Sequence, residues 1–155
     1  VTLIPGFFEL TMGFFFSELG GVIGGIPGGI FVGAVVGLGG LLAGGEFPLL
    51  PLLGNICLGI GTGYAIHVTR ARESIRYALL AIIGGAIIGG FLPTLLISLA
   101  LAESLILSLI YAVFDTMQAF IWALLAIFVD RTIIIPYFGN YLYNEADVSE
   151  LVMEE

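Results

Sequence analysis

The sequence has no lysine and little charge of either sign: 10% of its 155 residues are charged. A soluble domain carries about 25%. With 59% hydrophobic residues, a soluble globule of this composition would expose contiguous apolar patches and aggregate. Cysteine occurs once, at Cys57, and histidine once, at His67. A single cysteine excludes an intramolecular disulfide, and one of each cannot build a Cys/His metal site. No metal and no cofactor is expected. The missing lysine removes the phosphate-binding P-loop, and neither a Ser/His/Asp order nor a His-Glu-x-x-His motif is found. The chain is therefore not expected to be an enzyme. Four arginines against twelve acids leave a net charge of −8. Without a basic patch there is nothing to neutralise a phosphate backbone, so nucleic acid is not a partner.

What the chain does have is 23 glycines and a mean hydropathy of +1.16. A membrane-crossing helix needs about 20 apolar residues, and continuous apolar runs without two-residue alternation read as helices rather than as barrel strands. The expected fold is an all-α integral membrane protein in the lipid bilayer of the cell membrane. Five spans are read: Thr2–Leu19, Gly24–Ala43, Leu49–Val68, Ile75–Ala100 and Ser104–Val129. Gly20-Gly21 and Pro27 divide the first two, and the long run Thr2–Leu42 leaves room for a count of six. The chain opens on Val1 rather than Met, so a sixth span ahead of it would also fit.

Arg70, Arg72 and Arg76 share the loop between the third and fourth spans, and Arg131 flanks the last span. The positive-inside bias places that loop and the C-terminus in the cytoplasm, where the arginines serve to set topology. Residues 1–131 then form the bundle and residues 132–155 a short cytoplasmic tail. That tail holds five of the twelve acids, and Asn144–Glu155 reads as a frayed amphipathic helix.

Two patterns stand out. Gly21, Gly25, Gly29, Gly33 and Gly37 recur every fourth residue, and Gly59/Gly63 and Gly85/Gly89 repeat the spacing. Such faces allow backbones to approach closely where lipid offers no hydrophobic driving force. They read either as intrachain packing or as a surface that docks another subunit. The second pattern is on the last span. Ser104, Ser108, Tyr111, Asp115, Gln118 and Trp122 follow spacings of four and three, one face of a helix. An ionisable residue in mid-membrane costs about 2.5–3.5 kcal/mol on insertion scales, so a functional site is the default reading for Asp115. Asn55 and Thr62 share a face of the third span, and Glu9 and Glu18 lie within or near the end of the first. Aromatic walls with a few polar groups suit a small organic substrate. The expected substrate-binding set is Asn55, Tyr111, Asp115, Gln118 and Trp122. His67 sits at the cytoplasmic edge, and Tyr64 and Tyr77 fit an interfacial aromatic belt.

Three segments carry a family resemblance. Gly24–Gly40 (GGIPGGIFVGAVVGLGG), Pro51–Arg72 (PLLGNICLGIGTGYAIHVTRAR) and Tyr111–Phe128 (YAVFDTMQAFIWALLAIF) resemble helices of the substrate-binding S components of energy-coupling factor transporters. The resemblance covers about Gly20 to Arg131. It implies a prokaryotic six-helix bundle that captures a vitamin-like micronutrient from outside. It also implies docking on a transmembrane T component driven by two cytoplasmic ATPase subunits. The Ala-x-x-x-Ala docking motif of many members is not seen in the Phe-rich first span, and the glycine face Gly21–Gly37 is expected to replace it. The alternatives are a structural or assembly subunit of a larger membrane complex, and an ion-coupled carrier or channel using Glu9, Glu18 and Asp115.

Overall fold

The computed structural model describes residues 2–4, 8–9, 11–42, 49–101 and 103–143. A short antiparallel pairing of Thr2–Ile4 (β1) with Phe8–Glu9 (β2) comes first. From Met12 onward the described chain is built of helices: α1 (Met12–Leu42), α2 (Leu49–Thr69), α3 (Ile75–Gly84), α4 (Leu92–Ala100), α5 (Leu105–Val129) and α6 (Ile135–Leu142). A π-helical stretch, Gly85–Phe91, joins α3 to α4 without a break. A second, Asp130–Ile134, joins α5 to α6. Four of the resulting rods are long and apolar enough to cross a membrane: Met12–Leu42, Pro51–Thr69, Ile75–Ala100 and Leu105–Leu142. The helical, multi-pass class holds.

Three boundaries move. The first helix starts at Met12, not Thr2, because Thr2–Ile4 pairs with Phe8–Glu9, and β-branched and aromatic residues there favour extended backbone. Glu9 accordingly lies on a strand rather than in a helix. At the other end, the last helix does not stop at Val129. It continues to Leu142, because Asp130 and Arg131 find partners inside the fold and the following residues are again apolar and aromatic. The expected tail helix, Asn144–Glu155, lies outside the described residues. Ser104, expected to head the polar stripe, is the exposed N-cap of α5 and accepts the Leu107 N–H at 3.3 Å.

The element α1 is a folded-back pair of arms. Gly25 has φ 61° and ψ −155°, a region open essentially to glycine alone. A Cβ on Gly20 would come 2.6 Å from Val32, and one on Gly13 would come 3.0 Å from Val36. In a straight helix Gly13 and Val36 would stand about 35 Å apart at ~1.5 Å per residue. The N-terminal arm thus ends at the break and the C-terminal arm returns beside it. Pro27 takes the second position of the returning arm, where its missing N–H costs nothing. Gly25→Ala is expected to lower stability by about 1–3 kcal/mol. Gly24→Ala, where a Cβ meets nothing within 4 Å, is the control in the same thermal-unfolding measurement.

Both arms lie against α2. Gly21 abuts Thr62 and Gly59, Gly29 abuts Gly59, Gly33 abuts Asn55, and Gly37 abuts Leu52, each with backbone or short side chains at contact distance. The glycine face expected to dock a separate subunit is therefore occupied within the chain by α2. The physical reason is proximity: α2 begins at Leu49, close in the chain to the end of α1 at Leu42, so it reaches that face first. On its other side α2 packs on the end of α3 through Gly61 against Gly84, and on the π-helical stretch through Leu58 against Gly89. The apolar core combines these elements with α5: Val22, Ala65, Tyr77, Ala78, Ala81, Ala123 and Ala126 are buried together. Small side chains dominate because helix packing in lipid depends on close van der Waals approach.

Candidate functional site

The polar stripe of α5 is partly kept and partly dispersed. Ser108 and Gln118 are buried, and Asp115 and Trp122 are half-buried. Asp115 accepts a hydrogen bond from the Thr94 hydroxyl of α4 at 2.5 Å. The Trp122 ring packs on Phe15 of the N-terminal arm, with centroids 5.9 Å apart. Its Nε1 and the Ser108 hydroxyl are buried without a hydrogen-bond partner. Tyr111 departs from the set, since its ring is exposed on the outer flank of α5. The buried face of α5 is centred on Ser108, Ala112, Ala119 and Ala123, and Tyr111 lies toward its edge, where a large ring reaches past these small residues to the outside.

Asn55 belongs to a different network. Its Oδ1 accepts from the Ser17 hydroxyl at 2.7 Å, and its Nδ2 donates to the Pro51 carbonyl at 2.7 Å. This ties α2 to the N-terminal arm. Thr62, one heptad further on, places its hydroxyl 3.1 Å from the Glu18 carbonyl and so continues the same seam. Glu18 itself is fully buried, and neither carboxylate oxygen has a partner.

A third polar group forms at the end of the bundle that carries the arginines, and the sequence reading missed it. Arg72 is buried, whereas Arg70 and Arg76 are exposed. Its guanidinium donates to the carbonyls of Val22 and Ile23, in the second case at 3.0 Å. Those carbonyls end the N-terminal arm, where the break at Gly25 and the missing N–H of Pro27 leave them without helical donors. The guanidinium also stacks 4.0 Å above the Tyr143 ring. Tyr143 donates its hydroxyl to buried Asp130 at 2.7 Å, and Tyr77 donates to the Val22 carbonyl at 3.1 Å. Burial pushes the Tyr143 phenol well above its usual range, and the bond to Asp130 adds to the rise. Arg131 donates to the Glu73 and Ser74 carbonyls, which places it at the loop with the other arginines as expected. The signal for this cluster in the sequence was weak: Asp130 beside Arg131 reads as the end of a span.

Among the described residues no three His, Cys, Asp or Glu side chains gather to hold a metal. Two open concavities lie among the described residues. One is lined by Glu73, Arg131 and Ile135 at the arginine end, and the other by Ala86, Thr116, Met117, Phe120 and Ile121 on the outer side of α5. In comparisons with known proteins, no family model, no curated protein and no solved structure matches the chain.

Proposed function

We propose that the chain is the substrate-binding membrane component of an uptake transporter for a vitamin-like micronutrient, energised by separate ATPase subunits through a T component. The observation that carries this reading is the polar face of α5. Ser108, Asp115, Gln118 and Trp122 turn toward the interior of the bundle, on a helix whose other residues are almost all aliphatic or aromatic. Polar groups kept at membrane depth mark solute pathways and binding sites more often than packing devices. The orphaned Trp122 Nε1 and Ser108 hydroxyl are a donor and a donor–acceptor that a polar solute would satisfy. Neither open concavity includes them, so solute entry requires the N-terminal arm and α5 to part at the Phe15–Trp122 contact. In this reading the arginine end of the bundle and the C-terminus face the cytoplasm.

The purified protein is expected to bind one micronutrient of a calorimetric panel tightly and to hydrolyse no ATP. Asp115→Ala and Gln118→Ala are each expected to weaken that binding at least tenfold, about 1.4 kcal/mol. Binding of nothing in the panel, or wild-type affinity in both variants, defeats the reading. A second reading, an ion-coupled carrier, is favoured by one observation only: the isolated carboxyl of Glu18.

A further inference from the structure

The Glu18 carboxyl lies at the junction of four elements. It projects from the N-terminal arm of α1 into a space bounded by Thr62 of α2, Gly85 of the π-helical stretch and Ala123 of α5. A Cβ on Gly85 would come 2.9 Å from Glu18 Oε1, 2.9 Å from the Thr62 methyl and 3.4 Å from Ala123. Glycine at position 85 therefore makes the room that the carboxyl occupies. The side chain is 0% exposed, and both oxygens lack a donor. The Thr62 hydroxyl points elsewhere, to the carbonyls of Glu18, Leu58 and Gly59.

An ionised carboxylate in apolar surroundings needs a counter-charge or several donors, because the cost of leaving water is otherwise unmet. Beside Gly85, the side chains that come nearest together with the Glu18 carboxyl are those of Thr62 and Ala123, neither of which ionises. Among the described residues no three acidic, His or Cys side chains gather here, so the site offers no charged cage for a metal cation. A proton is the cation that fits. We propose that Glu18 is a proton-binding site inside the bundle, its carboxyl carrying an exchangeable proton that is taken up from and returned to water. Glu18 lies on the short arm that ends at the Gly25 break, and a π-helical stretch, a form found frequently at functional sites, closes over it. The site needs neither the micronutrient nor the ATPase subunits and stands apart from the reading of the α5 stripe.

Infrared spectroscopy of the full chain in lipid nanodiscs tests this without requiring a reagent to reach the site. At neutral pH the wild type is expected to show the carbonyl stretch of a protonated carboxylic acid. Glu18→Gln, a neutral replacement of the same shape, is expected to remove that band while keeping the melting temperature. Asp115→Asn is expected to leave it in place. In heavy water the band is expected to shift as the acid proton exchanges for deuterium. Gly85→Ala, which brings a methyl against Oε1, is expected to move its frequency. A band absent from the wild type, or unchanged by Glu18→Gln, overturns the proposal. So does a band that never shifts in heavy water, which would make Glu18 a sealed neutral acid, and so does its replacement by a carboxylate band on adding sodium.

Discussion

Replacing Arg72 with methionine is expected to destabilise the protein by about 2–4 kcal/mol, whereas Arg70→Met and Arg76→Met change its stability by less than ~0.5 kcal/mol. All three arginines belong to one short segment, and a positive-inside argument treats them alike. The structure does not: Arg72 is buried and the other two are exposed. Methionine keeps much of the aliphatic stem but removes every donor. The Val22 and Ile23 carbonyls then lose their partners, and a buried acceptor without a donor costs about 1–3 kcal/mol. The cation over the Tyr143 ring is lost as well, worth about 0.5–2 kcal/mol depending on its exposure. Asp130, bonded to Tyr143, loses one of the two arginine charges that reach it and keeps only Arg131. Thermal unfolding in detergent, followed by the fluorescence of Trp122, reads the difference, because that ring packs on the arm that Arg72 holds. Equal melting temperatures for all three variants would show that the arginines act only through topology.

The second large effect is at the crossing of α1 and α2. Gly29→Val and Gly59→Val are each expected to lower the yield of folded protein sharply, with destabilisation at or above the ~1–3 kcal/mol typical of overpacking. The reason is reciprocal. A Cβ on Gly29 would stand 2.2 Å from the Gly59 carbonyl oxygen, and a Cβ on Gly59 would stand 2.2 Å from that of Gly29. Backbone cannot rotate out of the way as a flexible side chain can, so the helices themselves must separate. Gly54 gives the contrast, since a Cβ there meets nothing within 4 Å. Gly54→Ala should be neutral or gain up to ~1 kcal/mol of helix propensity. Size-exclusion profiles and melting temperatures of the three variants decide the matter. If Gly29→Val and Gly54→Ala behave alike, the packing of α1 on α2 is not as described.

Much of this architecture was legible one residue at a time. Apolar runs, the scarcity of charge and the absence of alternation define a helical membrane protein, because each is a sum over neighbours in the chain. The fourfold glycine spacing likewise revealed a close-packing face, since helical periodicity alone puts those residues in line. The same arithmetic misread the N-terminus, where β1 and β2 precede the helix. It also ended the last span at Val129, because charge at Asp130 and Arg131 looks like an exit until their partners are known. The candidate site was legible only in outline. Gln118, Asp115 and Trp122 do turn inward, but Tyr111 drifts to the outside and Asn55 is engaged with Ser17.

Composition and period, then, determined by themselves that this chain is a glycine-rich helical bundle suited to a bilayer, with one polar stripe on its last long helix. Only the tertiary structure decided what those features touch. It folded α1 back at Gly25, covered the glycine face with α2 and chose Arg72 from three arginines. It also left Glu18 alone among Thr62, Gly85 and Ala123. Hydropathy and periodicity are properties of a segment, whereas a partner, an orphaned carboxyl or a filled groove is a relation between residues far apart in the chain. Such relations exist only once the helices have packed.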